Sequence, residues 1–295
     1  KKINNKTIVE LVYLRLKKSK LINNIIFAIP DSKSNFKLKE HLLNKNIPFF
    51  EGSEKNVLKR YYDASNFTKA NTIVRITADC PLIDANIVDN VIKLHFKKKS
   101  MFTTNINPPS FPDGLDVQVS SKKVLDYTYK NAKNNYEREH VFTILERDKS
   151  IKIHNYLSDK DHSKIRITLD EEDDYKLIKY IYSFYKPNIY FKYKDILKLM
   201  NMNKKIFQIN KKFKRNSNLK QNRSQLLWQN AKKIIPGGNS LLSKNPELFS
   251  NNNWPTYFTK SQDNFVWDIN NKKYLDMVMS PGTNVLGYAN KNINK

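Results

Sequence analysis

Cysteine is nearly missing from this chain. Cys80 stands alone among 295 residues, so no intramolecular disulfide can form and a Cys-rich zinc site is excluded. A lone thiol points to a reducing compartment, and the chain reads as cytoplasmic. Glycine is scarce, at six residues, and none precedes Gly52. A glycine-containing loop of the kind that cradles phosphates therefore has no place in the first 51 residues. Long apolar runs are absent too. Ile25 to Ile29 is typical of the longest, far too short to span a bilayer. No secretory hydrophobic segment follows the N-terminus.

Acidic residues are also few. Asp and Glu number 28 against 53 Lys and Arg, a formal charge of +25. That invites a nucleic-acid reading. But 45 of the basic residues are Lys and only 8 are Arg, and Asn and Ile are frequent as well. Phosphate and base-edge recognition favours the planar, bidentate Arg fork. The excess reads better as a solvated Lys-rich surface, whose field draws anionic ligands toward any cleft. The length suits one large or two ordinary domains, with a core that needs no disulfide staples.

What is present is an alternation of short apolar runs and amphipathic stretches over the first two thirds. Strands are expected at Ile25–Ile29, Ile47–Phe50, Thr72–Thr77, Met101–Ile106, Leu115–Val119, Ile151–Leu157 and Ile165–Leu169. Helices are expected at Phe36–Leu43, after Ser53 and Asp84 as caps, at Val124–Ala132, Glu137–Leu145, Tyr175–Phe184 and Ile196–Met200. Such alternation predicts an α/β fold with a mostly parallel sheet covered on both faces. Ligands of such sheets bind at the carboxyl ends of the strands.

Residues 201–223 carry eight basic residues and no acid, and read as a basic linker or exposed arm. Beyond it Ser224–Ile234 is helix-like and stops at Pro236-Gly237-Gly238. The pieces Tyr257–Thr259, Phe265–Asp268 and Lys273–Asp276, separated by turn residues, predict a small antiparallel meander. The chain opens at Lys1 inside a helical pattern (Ile8, Leu11, Val12, Leu16) and stops at Lys295 without a terminating signal, so it reads as a fragment open at both ends.

Two places carry chemistry. In VRITADCPLID (74–84) an acid, Asp79, ends an apolar strand, where an α/β sheet meets its ligand. Mg²⁺ wants such oxygen ligands, one or two carboxylates plus substrate phosphates. Asp79 equally suits a turn role. In RITLDEEDD (166–174) Asp170 ends a second strand, and here N-capping of the following helix is the stronger reading.

Taken in order, EGS (51–53) with VLKRY (57–61), VRITADCPLID, FPDGLDVQV (111–119), EREHV (137–141) and RITLDEEDD resemble the spore-coat polysaccharide cytidylyltransferases. These belong with the acylneuraminate and KDO cytidylyltransferases, of Rossmann-like nucleotide-diphospho-sugar transferase fold. The resemblance spans about residues 1–200. It implies Mg²⁺-dependent transfer of a cytidylyl group from CTP to an acidic sugar, with pyrophosphate released. It implies Asp79 as primary metal ligand and Asp170 as the second. It places Asp113, Gly114, Asp116, Arg138, Glu139 and His140 on the acceptor side. Those family members have a first strand and a basic, Gly-containing loop that this chain lacks. The resemblance therefore implies that residues 1–295 alone neither bind CTP well nor turn it over.

The stretch from Leu226 to Lys295 resembles the N-terminal segment of class III pyridoxal-phosphate aminotransferases, near glutamate-semialdehyde aminomutase. The carrying residues are IIPGGNS (234–240), NPELF (245–249), WPTYF (254–258) and VWDINNKKYLDMVMSPGTNVLGYAN (266–290). It implies that Gly282, Thr283 and Asn284 lie near the substrate, and that the complete protein uses pyridoxal phosphate. The Schiff-base Lys lies further downstream in that family. The combined expectation is a bifunctional surface-polysaccharide enzyme, homo-oligomeric through its aminotransferase part, with no membrane partner. Two alternatives stand beside it. One is a basic nucleic-acid-binding protein using residues 201–223. The other is a degenerate nucleotidyltransferase domain serving as an adaptor for the aminotransferase.

Overall fold

The computed structural model describes residues 1–148, 150–213, 215, 223–239, 245, 248, 255–269, 272–277, 285–290 and 292–293. The chain forms two units, Lys1–Arg215 and Asn216–Lys295.

The first unit is mixed α/β. A short hairpin of β1 (Lys2–Ile3) and β2 (Lys6–Thr7) leads into α1 (Ile8–Leu16), capped by Thr7 and Glu10 in a reciprocal capping box. Then β3 (Phe27–Pro30), α2 (Phe36–Asn44), β4 (Phe49–Gly52), α3 (Val57–Phe67) and β5 (Thr72–Arg75) alternate as expected. The cap of α3 is Asn56, whose Oδ1 accepts from the Lys59 amide at 2.9 Å, rather than Ser53. Ser53 instead accepts the amide of Asn56. Asp84 does cap α4 (Ala85–Lys97). β6 (Phe102–Thr104), β7 (Gln118–Ser121), α5 (Lys122–Asn131), α6 (Asn135–His140), α7 (Ile144–Arg147), β8 (Ile153–Asn155), α8 (Glu172–Phe184) and α9 (Tyr193–Met202) complete it.

The strands form two separate groups. β3 and β4 pair in parallel. The other sheet has the order β5-β7-β6-β8. In it only β6 and β8 are parallel, since β7 runs against both β5 and β6. The expected mostly parallel sheet is thus a mixed one. Periodicity marks a strand but not its neighbour, and β7 returns through a loop rather than a crossover helix. Residues 165–169 make no ladder, only one bridge between Arg166 and Asp113.

The main core lies where α1, α4, α8 and α9 cover the second sheet, around Leu11, Val88, Val119, Ile167 and Ile181. Arg15 is buried in it and donates to the carbonyls of Ile83, Leu82 and Phe191 at 2.7, 3.2 and 2.8 Å. A buried guanidinium is tolerable only with such full pairing. Tyr182 likewise donates to the Pro81 carbonyl at 2.6 Å. Arg15 and Tyr182 together hold residues 81–83, in the loop that follows β5.

The single helix expected over 137–145 is two. Val141 breaks it, at φ 64° and ψ −59°, with the Phe142 amide donating to the His140 carbonyl at 2.7 Å. That is a strained γ-turn, and a β-branched residue there is unusual.

The expected linker needs correction in its first part. Residues 203–213 and Arg215 belong to the first unit. Phe207 and Asn210 are buried, and Asn210 donates to the Arg166 carbonyl at 3.0 Å and to Asp174 at 2.8 Å. Lys212 pairs with Asp173 at 2.8 Å. The buried Phe207 and Asn210 anchor the segment, and the exposed Lys212–Asp173 pair adds little to that.

In the second unit α10 (Arg223–Ile234) ends at Pro236–Gly238. Gly238, at φ 77°, abuts the buried Trp228 ring, and a Cβ there would lie 2.5 Å from it. β9 (Phe258–Gln262), β10 (Phe265–Asp268) and β11 (Lys273–Leu275) form the antiparallel meander in that order.

Candidate active site

Three loops meet beyond the carboxyl end of β5. The first is Thr77–Cys80, closed by the Cys80 amide on the Thr77 carbonyl. The second is Phe111–Asp116. The third is the extended segment 165–169, which lies between them. Ile167 donates to the Asp113 carbonyl at 2.8 Å, and the Asp113 amide donates to Ile165 at 2.9 Å. On its other side the Leu169 amide and Thr168 Oγ1 donate to the Asp79 carbonyl at 2.8 and 3.1 Å. Gly114 sits at the tightest crossing, at φ 106°. A Cβ there would meet the Thr168 amide nitrogen at 2.6 Å, so only glycine fits.

These bonds bring Asp79, Asp113, Gly114, Asp116 and Asp170 together. Arg166 is the centre of the group. Its Nη1 donates to Asp113 at 3.0 Å, and its Nη2 to Asp170 at 2.6 Å. Nε and Nη2 hold Asp174 in a fork, at 3.0 and 2.8 Å. Burial works against the guanidinium charge, but the bonds to Asp174 and Asp170 outweigh it and keep Arg166 protonated. Asp174 has no exposed side-chain surface. Burial pushes its carboxyl up, yet Arg166, the Glu171 amide, Asn210 and the Asp170 amide hold it below the ordinary value.

Asp170 is not the helix cap. The amides of Asp170 and Glu171 both donate to Asp174, at 3.1 and 3.0 Å. Asp170 Oδ2 is taken by Arg166, while Oδ1 faces no donor among the described hydrogen bonds, and the side chain is 35% exposed. The Asp79 carboxylate is half-buried, and its contact is the Cys80 thiol at 3.5 Å. Two carboxylates with open oxygens thus share this corner.

Burial raises the Asp113 carboxyl, against the pull of Arg215 and Arg166, and the charges of Asp170 and Asp79 add to the rise. Asp116 is pushed up to about 7, by burial first and by Asp113 and Asp79, although Arg215 pairs with it. The Cys80 thiol is buried and pushed well up by burial and by Asp79, which leaves it unreactive.

EREHV lies apart from this group. Arg138 and Glu139 are exposed on α6. His140 is half-buried against Tyr136 and has its pKa lowered, by burial first and by Arg75 against Glu139. Arg75, whose charge reaches His140, ends β5. Gly282, Thr283 and Asn284 fall outside the described residues.

The sequence reading passed over Arg166, Asp174, Asn210 and Arg215. Arg166 had a signal, since it stands four and eight residues before Asp170 and Asp174. Arg215 had none, because its partners Asp116 and the Phe111 carbonyl are about a hundred residues away.

Among the described residues no group of three or more His, Cys, Asp or Glu side chains is arranged to hold a metal ion, and no helix is long and apolar enough to cross a membrane.

The first unit has the Rossmann-like fold of nucleotidyltransferases, as its likeness to a solved structure shows. A structure of a cytidylyltransferase from Leptospira borgpetersenii superposes with a TM-score of 0.67 at 29% identity, covering 70% of this chain and 88% of that one. The cytidylyltransferase family model matches residues 1–234, and the chain belongs to that family. An uncharacterized protein of Methanocaldococcus jannaschii is 34% identical over 179 residues, 60% of this chain and 72% of its own length. The spore coat polysaccharide biosynthesis protein SpsF of Bacillus subtilis is 26% identical over 163 residues, 54% and 67% of the two chains. A separate likeness, 32% over 75 residues, is to glutamate-1-semialdehyde 2,1-aminomutase of Polynucleobacter asymbioticus. It spans 25% of this chain and 17% of the aminomutase.

Proposed function

We propose that the first unit transfers the cytidylyl group of CTP to an acidic sugar of the kind used in surface polysaccharides, releasing pyrophosphate, with Mg²⁺ held by Asp79 and Asp170. The observation that carries this is the bonding of the Asp79 carbonyl to Thr168 and Leu169, which brings two half-open carboxylates to one strand end. The donor set fits the ion. Mg²⁺ takes hard oxygens, and usually one or two protein carboxylates suffice, the rest being water and phosphate. When bound, it would neutralise charge on the triphosphate.

The protein's own part is positioning. Attack on a phosphate is largely a matter of alignment and charge. Arg166 holds Asp170 by one oxygen and leaves the other open. Gly114 lets Phe111–Asp116 lie flat against 165–169, which sets Asp113 and Asp116 for an acceptor. Arg138, Glu139 and His140 lie apart on α6, and only the family resemblance supports a role for them toward the acceptor. The fold of the relatives and the SpsF likeness support the substrate class.

The test is pyrophosphate release by the full-length protein with CTP and a panel of acidic sugars. Release is expected only with a divalent cation, and at least about tenfold faster with CTP than with ATP. No release with any acidic sugar and Mg²⁺, from folded protein, would sink the proposal.

For the second unit the aminomutase likeness favours the start of a pyridoxal-phosphate aminotransferase. Purified full-length protein is then expected to retain pyridoxal phosphate through gel filtration, and cofactor-free protein would refute it.

A further inference from the structure

An acidic acceptor has to be held in a corner lined by acids. Asp79, Asp113, Asp116 and Asp170 repel one another there, and they repel an incoming carboxylate in the same way. Asp113 and Asp116 can accept bonds from sugar hydroxyls, but the acceptor's own carboxylate needs a cation. The two arginines of the corner are already engaged. Arg166 spends its guanidinium on Asp113, Asp170 and Asp174. Arg215 pairs with Asp116 and donates to the Phe111 carbonyl at 3.0 Å.

Arg75 differs from both. It ends β5 and faces Gln118 of β7 in register. Its hydrogen bond runs from Nη1 to Gln118 Oε1, a neutral acceptor, at 2.8 Å. The Tyr61 ring centre lies 5.6 Å from the guanidinium carbon. These contacts aim the guanidinium without neutralising it. Among the described residues no carboxylate pairs with Arg75, and its buried Nε has no acceptor. A half-buried guanidinium in that state is costly unless an anion completes it.

Its position suits an acceptor. Val117 and Val119 turn into the main core, so Asp116 and Gln118 turn to the opposite face of the extended chain. Arg75 lies on that face beside Gln118, and its charge reaches both Asp116 and His140. It therefore stands between the carboxylate corner and α6.

We infer that Arg75, aimed by Gln118 and Tyr61, binds the carboxylate of the acceptor and so selects acidic over neutral sugars. The planar guanidinium suits a carboxylate, which it can meet with two parallel bonds. The assignment rests on the acidic acceptor of the proposed function, and it names the residue that would read the acid.

The test measures binding to the full-length protein with CTP present and divalent cations chelated, so that no turnover intervenes. The probes are N-acetylneuraminate, KDO and glucuronate, each beside its carboxamide, which keeps the shape and drops the charge. The parent is expected to bind at least one acid about tenfold or more tighter than its amide. Arg75→Gln is expected to remove that preference, with affinity for the amide and for CTP held within about threefold. Arg75→Lys should restore part of it, since the charge returns without the fork. Gln118→Glu leaves Arg75 in place but supplies a carboxylate that pairs with it, and should lower the preference too. It carries the test if Arg75→Gln does not fold, and a preference that survives it then overturns the inference. Absence of the preference in the parent also overturns it, as does a preference that survives Arg75→Gln. Equal loss of acid and amide marks a structural role, and loss of CTP affinity assigns Arg75 to the triphosphate; either result overturns it as well. A preference that Arg75→Gln removes, in a protein that releases no pyrophosphate, upholds Arg75 and fails the cytidylyltransferase reading, so the two failures are distinct.

Discussion

Asp79→Ala in the full-length protein is expected to lower the rate of cytidylyl transfer by about 10²–10³-fold, which is about 2.7–4 kcal/mol of transition-state stabilisation. The fold gives the reason to expect a clean result. What ties Asp79 to the neighbouring segment is its carbonyl, accepting from Leu169 and Thr168, and the substitution leaves that carbonyl in place. The lost carboxylate is half-buried and makes no ion pair among the described residues. Its removal also relieves repulsion on Asp113 and Asp116. The melting temperature should therefore stay within a few degrees of the parent. Steady-state pyrophosphate release measures the rate. Transfer retained within about threefold would remove Asp79 from the machinery. If the parent protein transfers nothing, the adaptor reading gains instead.

Arg166→Met should act on stability rather than on chemistry alone. The guanidinium balances Asp174, which has no exposed surface, and Asp113, which is nearly buried. Removing one partner of a buried ionic group strands the other charges and costs about 3–5 kcal/mol. That is a large share of the roughly 5–15 kcal/mol that holds a domain folded. Urea unfolding measures it, and a loss below about 1 kcal/mol would refute the role. Arg166→Lys should recover only part, because an ammonium cannot make the fork to Asp174.

The pH dependence separates lost charge balance from lost packing. In the parent, Asp174 is held below its ordinary pKa, so its contribution is present above about pH 4 and is lost as pH falls through the lowered value. In Arg166→Met the same carboxyl is buried without its cation and its pKa rises. The penalty is then full at pH 7 and relieved as pH falls toward 4.5. The gap between parent and variant should narrow over that range. A gap independent of pH would mean that the loss is one of packing.

Much of this was legible along the chain. Asp84 reads as a cap because a lone acid precedes an amphipathic run, and it is one. Asp170 reads as a cap by the same rule, but it stands at the head of five consecutive acids. Local propensity cannot choose among them. The choice was made by Arg166, whose fork fixes Asp174 beneath the amides of Asp170 and Glu171, just ahead of α8, and leaves Asp170 half free. Likewise 137–145 has the apolar spacing of one helix, and only the packing of Val141 and Phe142 into the core beside α5 explains two short ones. Composition made 201–223 a linker, since Lys and Asn carry no periodic signal. The acids that pair with Lys212 and Arg215 are distant in sequence, so no local window contains both partners.

The sequence by itself determined the absence of disulfides, the strand and helix alternation, and the ordered motifs that carry the family. Those depend on residue type and spacing, which act over a few positions. Only the tertiary structure decided which strands are neighbours, which carboxylate pairs with Arg166 and which stays open. Each of these is a contact between residues tens of positions apart, and its energy comes from burial and charge balance that no local stretch contains.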